Sequence, residues 1–144
     1  MHFTGTVYRN PYWPTFPLLE ITQGCTHNKC KFCTMYRDVP FRMSPMEWIE
    51  EDLREIAEIA PDATTIQLLS ANPLALSFEK LEPILKMINR YLPKMEYIYA
   101  ATRVTDIRNK PAISIIADSG FLTGRYFLLL TSICQNHFDI NGLV

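Results

Sequence analysis

The sequence predicts an α/β fold, a partial (β/α) barrel holding about the first three to four β/α units. Two observations predict it. Strand-like and helix-like segments alternate three times, the pattern of parallel β/α units. The chain has 144 residues, whereas a unit takes ~31 residues and a full eight-unit barrel ~250. Right-handed crossovers then place the helices on one side of the sheet, as in a barrel wall.

Residues 1–17 carry several aromatics and Pro11, Pro14 and Pro17, and read as an extended lead-in covering one end of the barrel or sheet. A β/α domain is expected over 18–120 and an atypical tail over 121–144. Leu18 to Thr22 is the first strand candidate, ended by Gly24. A cysteine-rich loop follows, and Arg37 to Arg42 is expected to be irregular because Pro40 lacks a backbone donor.

Ser44-Pro45-Met46-Glu47 reads as a helix start: Ser44 as cap, Pro45 at the first helical position, Glu47 completing a capping box. Ile49, Leu53, Ile56, Ala57 and Ala60 recur at helical spacing until Pro61. Thr64 to Leu69 is the second strand, rich in β-branched residues at its start and broken by Ser70-Ala71-Asn72-Pro73. Ser77 caps the next helix, whose apolar face is Leu81, Ile84, Leu85, Ile88 and Leu92; Pro83 interrupts it early and Pro93 ends it. Tyr97 to Ala101 is the third strand. A short helix from Pro111 to Ser119 is closed by Gly120. Tyr126 to Ile133 is strand-length, apolar and uncharged.

Composition excludes some function classes. Hydrophobic residues make up 48% and charged residues 20%, a globular balance. The formal net charge of −1 gives no electrostatic footprint for nucleic acid. Lys29, Lys31, Arg37 and Arg42 cluster around the cysteine loop, as a solvated face or as an offset to an anionic group. No apolar stretch reaches the ~20 residues of a membrane helix. The start shows neither a basic n-region nor an apolar h-region, so the expectation is a cytoplasmic chain with reduced cysteines.

The chemistry concentrates in Cys25, Cys30 and Cys33. Three thiolates in one short loop suit an iron–sulfur cluster, because the ligands must converge on several irons at once. Three ligands with no clear fourth leave one iron open, and an open metal position is where chemistry occurs. The C-x4-C-x2-C spacing also occurs in plant-type ferredoxins, with Cys134 as a possible fourth ligand. A zinc site completed by His27 or His137 is a further reading. The loop follows the first strand, at the face that carries active sites in β/α barrels. Arg103 follows the third strand and points to the same face, either to bind a carboxylate or to be neutralised by Asp106.

The run Ile21-Thr22-Gln23-Gly24-Cys25 through Cys33-Thr34-Met35-Tyr36, with Phe32 before the last cysteine, resembles the cluster loop of the radical S-adenosylmethionine (SAM) superfamily. The four residues between Cys25 and Cys30 match a subgroup often labelled Fe-S oxidoreductases. The resemblance covers about Leu18 to Gly120 and is specific in the cluster loop. It implies a partial barrel and a [4Fe–4S] cluster on Cys25, Cys30 and Cys33, with the free iron chelating SAM. It further implies reductive cleavage of SAM to a 5′-deoxyadenosyl radical acting on an unknown substrate, fed by a reductant such as flavodoxin or ferredoxin. Phe32 would lie against the adenine. Family members usually carry a Gly-Gly-Glu-like segment after the second strand that holds the methionine ammonium. Here Ser70, Ala71 and Asn72 fill that place, and Asn72 keeps an acceptor oxygen without the charge.

The tail from Phe121 departs from that pattern, so the chain is expected to be a truncated or frame-disrupted version, roughly half a barrel. Its unclosed sheet edge is expected to favour self-association. A non-enzymatic iron–sulfur electron carrier and a catalytically dead fragment are the competing functions.

Overall fold

The computed structural model describes residues 1–9, 11, 14–31, 33–103, 106 and 126–131, with Thr102 and the last six as backbone only. Four strands form one parallel sheet in the order β1 (Leu18–Leu19), β4 (Thr65–Leu68), β5 (Tyr97–Thr102), β6 (Tyr126–Thr131). A separate antiparallel pair joins β2 (Thr22–Gln23) to β3 (Arg42–Met43). Helix α1 (Met46–Ile59) lies in the connection from β3 to β4, and α2 (Phe78–Tyr91) lies between β4 and β5. Each strand of the sheet lies beside the one before it in sequence, as successive β/α units require.

The alternation in β4 explains how the sheet divides its two faces. Ile66 and Leu68 are buried, whereas Thr65 and Gln67 are partly open. Successive strand residues point to opposite faces, so one face goes to the helices and the other stays available. Ile66, Leu68, Ile98 and Ala100 join Ile49, Leu53 and Ile56 of α1 and Leu81, Ile84, Leu85 and Ile88 of α2 in one core. Both helices present these residues at three- and four-residue spacing, so a single apolar stripe on each is removed from water. Fully burying each such side chain contributes roughly 1.5–3 kcal/mol.

Several expected local features differ. The first strand splits into β1 and β2, because the backbone bends at Glu20-Ile21 to leave the sheet and pair with β3. Arg42 is therefore in a strand rather than in an irregular stretch. Ser44 does not cap α1. Its N–H donates to the Ile21 carbonyl at 3.0 Å, which extends the β2–β3 pairing, and its buried hydroxyl has no hydrogen-bond partner. Pro45, with φ −54° and ψ 139°, takes the cap position instead of the first helical one. Ser77 does occupy the cap position of α2, through its carbonyl and without a side-chain bond. The six residues of β6 pair with all of β5. The expected helix from Pro111 to Ser119 with Gly120, and Phe32, Cys134 and His137, lie outside the described residues.

The lead-in is strapped to the domain by specific bonds. Asp52, 1% exposed on α1, accepts the His2 N–H at 2.9 and 3.0 Å and contacts His2 Nδ1 at 2.8 Å. The His2 ring stacks on Trp48 with centroids 5.0 Å apart. Pro17 continues strand-like pairing, its carbonyl accepting the Gln67 N–H at 2.9 Å. Among the described residues no helix is long and apolar enough to cross a membrane.

Candidate functional site

Parallel strands share a direction, so the segments that leave β1, β4 and β5 emerge at one edge of the sheet. Those segments carry the cysteine loop, Ser70 with its neighbours, and Arg103. The loop is fixed by Gly24, whose φ of +67° is in the left-handed region. A Cβ there would stand 2.5 Å from the Val39 carbonyl oxygen and 2.7 Å from that of Pro40. Only glycine lets the returning strand approach so closely.

Two hydrogen-bonded ties hold the loop to the end of β4. Ser70, itself at φ +91°, donates its hydroxyl to the Gly24 carbonyl at 2.7 Å. Asn72 is fully buried, and its Oδ1 accepts the Thr26 N–H at 3.3 Å. The Asn72 amide nitrogen donates to Thr26 Oγ1 and to Asp106 Oδ2, the latter at 2.9 Å. One amide thus joins the cysteine loop, the end of β4 and the segment beyond β5.

Cys25, Cys30 and Cys33 border one cavity of about 210 Å³, together with Ser70, Ala71 and Arg103. Sequence reasoning named all six of these, and the fold brings them together. Asn72 is not on that wall; it supports the wall from behind. Asp106 accepts from Asn72, and among the described residues no ion pair engages Arg103. The guanidinium is therefore not neutralised by Asp106 as one reading of the sequence has it.

The donor chemistry fits a cluster in part. Cys25 and Cys33 carry free, half-buried thiols, and the Asn28 N–H lies 3.5 Å from Cys25 Sγ. Backbone N–H groups directed at cysteine sulfur stabilise its thiolate and tune a cluster's potential. Cys30 is disulfide-bonded, contrary to the expectation of three reduced thiols. Among the described residues no three His, Cys, Asp or Glu side chains are arranged around a single metal ion. The three cysteines border one space, but their side chains are not gathered into a ligand set, so holding a cluster would need the loop to rearrange and Cys30 to be reduced.

The same cavity is bordered by Tyr8, Tyr36, Gln67 and Ala101, which sequence reasoning did not single out. Gln67 carried a usable signal: a polar residue between Ile66 and Leu68 marks the sheet face turned from the helices. Tyr8 carried none, being 28 residues before Tyr36, whose ring it meets edge-on at 5.5 Å. Burial, followed by the charges of Tyr8, Cys33, Cys25 and Glu20, pushes the Tyr36 phenol up to about 12. It stays neutral at physiological pH. No family model, curated protein or solved structure matches the chain.

Proposed function

We propose that this chain is a radical SAM-like iron–sulfur protein that cleaves SAM reductively and directs the resulting radical at a substrate. One observation carries the reading: Cys25, Cys30 and Cys33 border a single cavity with Ser70, Ala71 and Arg103 at the C-terminal edge of a parallel sheet. A zinc staple or an electron carrier has no need of a cavity at that edge, whereas an enzyme does.

Under this reading the three cysteines hold a [4Fe–4S] cluster, which when bound supplies one electron to the sulfonium of SAM. The chain's own residues do the rest. Arg103 offers a guanidinium to the methionine carboxylate, a charge-assisted and geometrically demanding contact. Ser70 and Ala71 border the place of the methionine ammonium; the Ser70 oxygen can accept while its proton stays on the Gly24 carbonyl. Asn72, expected from the sequence among the cofactor contacts, acts here as the residue that positions the loop. Tyr8 and Tyr36 line part of the cavity with ring surface. The electron comes from a low-potential protein reductant such as a flavodoxin or ferredoxin, and the setting is a reducing one, as in cytoplasm.

The test is anaerobic reconstitution after reduction of the Cys30 disulfide, with iron and sulfide counted and SAM turnover followed as methionine and 5′-deoxyadenosine. About four irons per chain with SAM cleavage supports the reading. A cluster that transfers electrons but leaves SAM intact favours the electron carrier. Stoichiometric zinc with no cluster rejects both.

A further inference from the structure

Beside the cysteine cavity lies a second chamber of about 260 Å³, which shares Tyr8, Met35, Tyr36 and Ser70 with it. Glu20 and Thr22 stand on its wall. Glu20 is 9% exposed, and among the described residues its carboxylate accepts only from Thr4: the N–H at 3.2 Å and the hydroxyl at 2.5 Å. Both donors are neutral, and among the described residues no Lys, Arg or His lines this chamber. A buried carboxylate is costly unless its charge is met. Thr22 is 0% exposed, and its Oγ1 has no hydrogen-bond partner. The chamber therefore offers a carboxylate with no cationic partner among the described residues, while the Thr22 hydroxyl lies buried behind its wall.

We propose that this chamber binds a small organic cation, an ammonium-bearing molecule, with Glu20 as the counter-charge. An anionic ligand would meet the Glu20 carboxylate and be repelled. A neutral ligand would leave the charge unmet. Because the chamber and the cysteine cavity share a wall, a bound amine would sit next to the proposed radical source. Calling it the substrate rests on the radical reading above; its binding does not.

The test uses the full chain without cluster, labelled at threonine methyl groups and followed by NMR. The probe is ethanolamine, compared with ethylene glycol, glycolate and potassium ion at equal ionic strength. Ethanolamine is expected to shift the Thr22 and Thr4 methyls saturably and at least roughly tenfold more tightly than ethylene glycol, as a charge-assisted bond in a buried site requires. In Glu20→Gln that preference is expected to vanish, and in Thr22→Val, whose hydroxyl lies behind the wall, to survive. Equal response to ethylene glycol, no saturable response, displacement by potassium at equal concentration, or a preference that survives in a folded Glu20→Gln overturns the proposal. The wild-type comparison stands even where Glu20→Gln fails to fold. Ethanolamine selectivity without SAM cleavage sinks the radical reading alone. SAM cleavage without that selectivity sinks the ligand class alone.

Discussion

The amide of Asn72 is bonded to the main chain and side chain of Thr26, 46 residues earlier, with the N–H of Thr26 donating to Asn72 Oδ1 at 3.3 Å. Among its described residues the cysteine loop has no helix or strand to hold it. Its position relative to the sheet is set by this amide and by the Ser70–Gly24 bond. The geometry of this edge thus depends on a residue that does not border the cavity.

Asn72→Ala is expected to leave the Thr26 N–H and an Asp106 oxygen without their partner. Thr26 is exposed and Asp106 half-buried, so water replaces part of each lost bond and the cost is about 0.5–1.5 kcal/mol. Urea unfolding should show a loss in that range with an unchanged slope. Asn72→Asp is expected to be worse above the carboxylate range, because a second carboxylate would face Asp106 Oδ2 where an amide now donates at 2.9 Å. Protonating either acid restores a donor, so this variant should recover stability relative to wild type as the pH falls below about 4. No such recovery in pH-dependent unfolding curves would show that the Asn72–Asp106 contact does not matter.

Gly24→Ala is expected to displace the loop. Left-handed backbone costs a non-glycine residue about 1–2 kcal/mol, and the new methyl would press on two carbonyls at 2.5 and 2.7 Å. Neither carbonyl belongs to a flexible side chain, so β3 and the turn before it must move. The expected outcome is a loss of about 2 kcal/mol or more in thermal or urea unfolding, together with impaired iron uptake. Unfolding and iron uptake identical to wild type would show that the Val39–Pro40 turn yields freely.

Helices α1 and α2 and the strands β4 and β5 were legible in the sequence because their determinants are local. Ile49, Leu53 and Ile56 repeat on one face, and Ile66 and Leu68 alternate with open residues. That Cys25, Cys30, Cys33 and Arg103 share one edge was legible because each follows a strand of one parallel sheet. What was not legible depends on distant chain. Ser44 has every local mark of a cap, yet the Ile21 carbonyl takes its N–H. Glu20 reads as one strand residue among others until Thr4 and Thr22 are seen with it around a chamber. Tyr8 meets Tyr36 and donates to the Met35 carbonyl at 3.2 Å, contacts no local pattern encodes.

Each of Cys25→Ala, Cys30→Ala and Cys33→Ala is expected to reduce reconstituted iron and sulfide at least about tenfold, because a cluster held by two thiolates dissociates readily. Cys134→Ala is expected to retain them. Loss of iron in Cys134→Ala, with the other three reduced and folded, would point to a four-cysteine electron carrier. Reduction before loading is part of this prediction, since Cys30 is disulfide-bonded. Wild-type chain offered iron without a thiol reductant should therefore load poorly.

The last prediction concerns the phenol between the two spaces. Tyr36 is raised from 10 to about 12, first by burial and then by neighbouring negative charge. A group whose folded pKa lies above its unfolded value stabilises the fold in its protonated form. That contribution is complete below pH 10 and is lost as the pH rises from 10 through about 12, where the unfolded chain releases the proton more readily than the folded one. Wild type should therefore lose stability over that window faster than Tyr36→Phe, which has no proton to lose. The two unfolding curves should converge or cross at alkaline pH, whatever their difference at neutrality. The tyrosinate difference spectrum of the folded protein should correspondingly lack one late-titrating residue in Tyr36→Phe. Parallel curves through this window, or an unchanged late phase in the spectrum, would mean that the ring is more hydrated than its place between the cavities implies.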